Sequence, residues 1–283
     1  MHRRLKIGHT GITWAGKDIE TAVATISKLG YHGVEVFGAD LDRLEKEGRS
    51  DLFDRYDIPL ISSYCSINLV DPSAKEDSFN KIARWGSLMK KHGAKYICLG
   101  GDSINRMNYN YNDYKDYILN MVNEAGRRFA DMGLALCYHP HTGTPIETAH
   151  EIRTLMEGVD AKVVAFAPDV GQIQKGGADA VQIVKDYLEL VRHVHFKDYD
   201  GVPVKYTPDG KEIDSSGFAC YTPLGKGIVD LPAILDLLEM SAFDNMVMVE
   251  LDGGETVPMP QEEALTISRD YLKELGYSFR ERK

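Results

Sequence analysis

Eight short apolar runs recur along the 283-residue chain, and a segment with apolar residues at three and four spacing follows each one. This regular alternation constrains the fold more than any other feature. The strand-like runs are Leu5 to His9, Gly33 to Phe37, Pro59 to Tyr64, Lys95 to Leu99, Leu134 to Tyr138, Val163 to Phe166, Val191 to Phe196 and Met246 to Glu250. The spacing predicts helices over Asp18 to Leu29, Leu41 to Tyr56, Lys75 to His92, Tyr111 to Met132, Glu147 to Met156, Ala178 to Leu188, Leu231 to Met240 and Glu262 to Leu275. Strict alternation demands a parallel sheet. Eight units at roughly the 250-residue size of a closed barrel predict a single α/β domain over 1–283, a (β/α)8 TIM barrel. An open dinucleotide-binding sheet is disfavoured, because the first run leads into Gly8-His9-Thr10-Gly11-Ile12-Thr13 and not into a G-x-G-x-x-G turn.

One stretch breaks the rhythm. Residues 200–226 hold Pro203, Pro208-Asp209-Gly210, Ser215-Ser216-Gly217 and Pro223, too long and too rich in turn residues for an ordinary strand-to-helix connection. The expectation is a long loop after strand seven that lies over the barrel mouth, as a substrate lid or an oligomer contact.

Lysine and arginine total 33 against 43 acidic residues, and the net charge of -10 argues against nucleic acid or an anionic membrane surface as partner. The chain has no run of the roughly 20 apolar residues that a membrane span needs. Its start, Met1-His2-Arg3-Arg4-Leu5-Lys6, leads into an apolar run too short for a signal peptide. The expectation is a soluble cytoplasmic protein. Cys65, Cys98, Cys137 and Cys220 are widely spaced and form no C-x-x-C pair, which reads as reduced core thiols.

In such a barrel the C-terminal strand ends converge on one site. Strand five ends in Tyr138-His139-Pro140-His141, strand six in Pro168-Asp169-Val170-Gly171-Gln172, strand seven in His193-Val194-His195-Phe196-Lys197-Asp198, and strand eight in Val249-Glu250-Leu251-Asp252. These strands are neighbours, and alternation puts His139 with His141, and His193 with His195, on common faces. His139, Asp169, His195 and Glu250 form a mixed nitrogen and oxygen set suited to one divalent cation, with Mn as first choice and Co, Fe, Zn or Mg as alternatives. His193, deeper in its strand, reads as a core histidine, while Asp252 and Glu255 read as solvated loop carboxylates.

The chain resembles the xylose-isomerase-like barrels, and within them the inosose dehydratases and related keto-sugar lyases. The segments His139-Pro140-His141-Thr142-Gly143-Thr144 with Glu147-Thr148, Phe166-Ala167-Pro168-Asp169-Val170-Gly171-Gln172, His193 to Asp198, Tyr221-Thr222-Pro223-Leu224-Gly225-Lys226-Gly227 and Val249-Glu250 carry the resemblance. It implies the same four ligands around one divalent metal. It also implies a lyase acting on a keto-polyol or keto-sugar, including β-elimination from a 3-keto-glycoside, with a ketose isomerase or epimerase as the alternative. The ketose 3-epimerases resemble a pattern with Glu where this chain has His139, which leaves Glu250 without the second metal-bound glutamate of a symmetric epimerisation.

Enediolate chemistry on such a substrate needs a base and an acid. His141 is the first candidate, with Glu250 sharing the role. Lys197, Glu35, His9 and Trp14 are the candidate substrate contacts. The expected partner is a small keto-sugar or keto-polyol, with a homo-oligomer or a small partner subunit possible.

Overall fold

The eight expected strands form in order as β1 Ile7–Thr10, β2 Val34–Phe37, β3 Leu60–Ile67, β4 Tyr96–Gly101, β5 Ala135–Tyr138, β6 Val164–Phe166, β7 His195–Phe196 and β8 Val247–Val249. All pair in parallel, each with its sequence neighbour, and β8 returns to β1. Parallel bridges from Phe166 to Val191 and from Asp169 to His195 close the ring between β6 and β7. The computed structural model describes residues 3–14, 18–203, 205–207, 212–213, 218–253 and 257–281.

Helices wrap the outside. In α1, Ile19–Lys28, the residues Val23 and Ile26 are fully buried against the sheet, at roughly 1.5–3 kcal/mol of transfer free energy each, and Asp18 caps the first turn by accepting from the Thr21 N–H. The single helix expected over Leu41 to Tyr56 is instead two, α2 Gly38–Lys46 and α3 Leu52–Arg55. Gly48 lies between them at φ +68°, a left-handed conformation that ends α2. A helix that periodicity did not show, α7 Val170–Lys175, follows β6 after α4 Lys75–Lys91, α5 Lys115–Asp131 and α6 Ala149–Gly158.

The excursion after β7 is more ordered than a plain loop where it is described. Asp198–Tyr199 pairs antiparallel with Tyr221–Thr222, and Lys205–Tyr206 with Glu212–Ile213. Residues 204, 208–211 and 214–217 lie outside the described residues. The buried Asp198 carboxylate ties down the far end by accepting from the N–H groups of Gly225, Gly227 and Val229. Among the described residues, no helix is long and apolar enough to cross a membrane. All four cysteines are buried, and Cys65, Cys98 and Cys137 are free thiols.

Candidate active site and metal centre

Strand register decides which side chains enter the barrel. Gly8 pairs with Met248, Thr10 with Glu35, Glu35 with Ser62, Ser62 with Tyr96, Cys98 with Cys137, and Met248 with His195. Extending that parity by two residues brings His139, Lys197 and Glu250 to the inner face. The interior is lined low down by small groups such as Cys98, Cys137 and Ala167, and the polar side chains gather above them.

Three of the four expected ligands converge directly, since His139, Asp169 and His195 each offer an atom within 4.8 Å of the others. Glu250 joins them, its Oε2 lying 2.7 Å from His195 Nδ1. The Asp169 carboxylate is pinned as the cap of α7, where Oδ1 accepts from the Gln172 N–H at 2.9 Å. Its other oxygen, Oδ2, makes no hydrogen bond although Lys197 Nζ is 3.2 Å away. His195 Nδ1 is likewise buried and forms no hydrogen bond, and His139 turns its Nε2 toward Asp169 Oδ2 at 3.9 Å. Buried polar atoms normally find partners, so Asp169 Oδ2 and His195 Nδ1, with His139 Nε2 beside them, fit a cation.

Charge balance points the same way. Lys197 Nζ is fully buried between Glu250 at 2.6 Å, Asp252 at 3.0 Å and Asp169 at 3.2 Å. Three carboxylates around one ammonium leave a deficit of positive charge. Burial opposes ionisation of Glu250, but His195 and Lys197 hold its carboxyl well below the usual range. Burial pushes Asp169 up, with Lys197 opposing. His139 is driven well below 6.5 by burial and by His195, so it is a neutral imidazole able to ligate. Burial works against a charged His195, yet Cys98, Glu250 and Glu35 raise it well above 6.5.

A cavity of about 410 Å³ opens above this cluster. Its walls include His139, His141, His195 and Glu250 on one side, and Thr10, Phe37, Tyr64, Ser66, Asp102 and Ser103 on the other. His141 therefore faces the cavity. Its Nδ1 lies 2.6 Å from the Thr142 carbonyl, to which it donates, and its Nε2 accepts from the Gln172 amide at 2.7 Å. Gln172 is held for this by Thr142, whose hydroxyl donates to Gln172 Oε1 at 2.6 Å.

The expected substrate contacts need correction. His9 points out of the barrel, because Thr10 and not His9 shares the inward register with Glu35; its ring packs edge-on against Tyr31 at 5.1 Å, and burial lowers its pKa to about 4. Trp14 ends a short 3-10 turn, Gly11–Trp14, and packs on the core, while Gly11 and Ile12 of that turn line the cavity. Lys197 is not on the cavity wall and serves as counter-ion to three carboxylates. Glu35 borders the cavity but is spent on the protein, accepting from His193 and His195 at 2.7 Å each and from Ser62. Asp252 is an ion-pair partner and not a solvated carboxylate; Glu255 lies outside the described residues. Of the excursion over 200–226, no described residue lines the cavity.

Tyr64, Ser66, Asp102, Gln172 and Asn245 were missed. Reading β3 three residues further, to Ile67, would have put Ser62, Tyr64 and Ser66 on one inward face. Gln172 carried a weaker signal, three residues past Asp169 where a capped helix begins.

The family model described as xylose isomerase-like TIM barrel matches residues 23–275. Among curated proteins, the inosose dehydratase of Clostridium botulinum (strain Alaska E43 / Type E3) is 26% identical over 96% of this chain and 97% of its own length. That of Geobacillus kaustophilus (strain HTA426) is 25% identical, over 95% and 94%. Among solved structures, a zinc-bound IOLI protein superposes with a TM-score of 0.77 at 17% identity, covering 96% and 98%. The probable 3-DHS dehydratase of Bacillus anthracis gives 0.76 at 15% identity, covering 95% and 99%.

Proposed function

For a chain that belongs to the xylose isomerase-like TIM barrel family, we propose a divalent-metal-dependent carbon-oxygen lyase that acts on a keto-polyol or keto-sugar in the manner of inosose dehydratase. The single observation that carries this reading is the convergence of His139, Asp169 and His195, with Glu250 2.7 Å from His195 and with Asp169 Oδ2 and His195 Nδ1 lacking hydrogen bonds, beside a cavity of sugar size that His139, His195 and Glu250 line. The curated relatives support the dehydratase class by name.

His139, Asp169, His195 and Glu250 would hold the metal. A cation there supplies Lewis-acid stabilisation of the negative charge that develops on a substrate carbonyl and its neighbouring hydroxyl when the α-proton leaves. The residues of the chain do the rest. His141 donates from Nδ1 to Thr142, so its lone pair is on Nε2, and burial holds it neutral near pH 7; with substrate in place of the Gln172 amide, that lone pair takes the proton. Glu250 is the second candidate for proton transfer. Elimination then needs the leaving hydroxyl on the next carbon to accept a proton, and His141, now protonated and on the cavity wall, supplies it. Tyr64, Ser66, Asp102 and Ser103 would hold the remaining hydroxyls.

Incubation with 2-keto-myo-inositol in deuterated water, with and without chelator, tests the reading. A new enone-type absorbance that the chelator abolishes is expected. Deuterium uptake without that absorbance would favour the epimerase alternative, and activity retained after verified metal removal would refute the metal-dependent mechanism.

A further inference from the structure

Below the proposed metal ligands, at the barrel axis, runs a chain of hydrogen bonds between side chains that are all at most 9% exposed: Asn245, His193, Glu35 and His195. We propose that Asn245, His193 and Glu35 are positioning residues that fix the tautomer of His195 and so present its Nδ1, and not its Nε2, to the cation. This rests on the reading of His195 as a ligand.

Each proton in the chain can be placed in turn. The Met246 backbone N–H donates to Asn245 Oδ1 at 2.8 Å, and Asn245 Nδ2 donates to the Arg192 carbonyl at 3.0 Å, so the amide has only one orientation. Nδ2 is then also the donor toward His193 Nδ1 at 3.1 Å. His193 must keep its own proton on Nε2, which donates to Glu35 Oε2 at 2.7 Å. Ser62 donates to the same oxygen. The other oxygen, Oε1, lies 2.7 Å from His195 Nε2, and a carboxylate can only accept, so that nitrogen carries a proton. His195 Nδ1 is left as the ring nitrogen that faces Glu250 Oε2, 2.7 Å away, buried and outside hydrogen-bond geometry, where a cation would take the place of a proton.

The opposite tautomer would turn an N–H toward the cation and lose the ligand. Carboxylates behind metal-bound imidazoles set ring orientation and basicity, and their loss typically costs about 10- to 100-fold in metal affinity. The chain thus assigns work to two residues off the cavity wall, His193 and Asn245, the latter before the start of β8 and at the opposite end of that strand from Glu250. Glu35, Cys98, His193 and His195 also offer atoms within 4.8 Å of one another; three of these residues are already joined by 2.7 Å hydrogen bonds, which favours a proton relay there over a second cation.

The test uses zinc alone as probe. Titration of the full chain against a chromophoric chelator is expected to give one zinc per chain, with Glu35→Gln binding about 10- to 100-fold more weakly. Ring-nitrogen NMR of the zinc-loaded wild type is expected to show His195 protonated on Nε2 and ligated through Nδ1. Ligation through Nε2, wild-type zinc affinity in a Glu35→Gln chain of unchanged circular dichroism, or a second zinc lost with Glu35 overturns the relay. If Glu35→Gln does not fold, the wild-type spectrum decides alone. A chain that binds zinc as described but leaves keto-polyols untouched refutes the proposed reaction and leaves the relay standing, whereas a chain that binds no zinc removes both.

Discussion

The rim of the barrel has two unlike halves. From β5 to β8 it presents His139, Asp169 and His195 with atoms within 4.8 Å of one another, Glu250 against His195, His141 with its ring 6.0 Å from that of His139, and Lys197 buried among the carboxylates. From β1 to β4 it presents Thr10, Phe37, Tyr64, Ser66 and Asp102, with a hydrogen bond of 2.6 Å from the Ser66 hydroxyl to Asp102. The charged half holds buried polar atoms without hydrogen bonds, Asp169 Oδ2 and His195 Nδ1 among them, and suits bond breaking. The half with hydroxyl and aromatic groups suits holding a polyol. The difference teaches that one strand set can be read for chemistry and the other for recognition, and substitutions on the two sides should separate kcat from KM.

The largest effect is expected on the charged side. His195→Ala should strip the metal and lower turnover on the order of 10⁴-fold, the several kcal/mol that Lewis-acid stabilisation contributes. Metal analysis of the purified variant checks this, and full metal content would contradict it. His141→Ala should keep the metal and lower kcat about 10²- to 10³-fold; loss of metal would move His141 into the ligand set. Because burial depresses its pKa, the acid limb of the wild-type kcat profile should fall below pH 6.5, and that limb should vanish in the variant.

Across the rim, Asp102→Asn or Ser66→Ala should raise KM about tenfold with kcat nearly unchanged, the value of roughly one lost hydrogen bond to substrate. A kcat effect larger than the KM effect would erase the distinction between the halves.

The smallest effect on turnover is expected outside the barrel, at His9. Its folded pKa of about 4 lies below the ordinary 6.5, so the unfolded chain takes up the proton first. Stability is therefore full above pH 6.5 and falls by about 3 kcal/mol as pH drops toward 4. His9→Phe should flatten that part of the pH dependence in urea unfolding at pH 7 and 4.5, and parallel slopes would reject it.

Periodicity made the eight strands legible, and it also paired His139 with His141 and His193 with His195. It could not say which face of a strand turns inward. His9 and Thr10 both end β1, and only the pairing of Thr10 with Glu35 turns His9 toward Tyr31. Glu35 was visible as an inward carboxylate, but its partners lie 158 and 160 residues away, so nothing local revealed that it serves two histidines and not the substrate. The split between α2 and α3 had a local cause in Gly48, which the apolar pattern on either side obscured. Asn245 carries no charge and sits in no motif, and Gln172, although it ends the Phe166 to Gln172 segment, meets His141 and Thr142 only in three dimensions.

Anomalous diffraction from crystals of the manganese-loaded or zinc-loaded chain tests the central claim most directly. One peak per chain is expected, within bonding distance of His139, Asp169, His195 and Glu250. A metal seated elsewhere, or clear density for those four side chains with no metal between them at saturating concentration, would contradict the account.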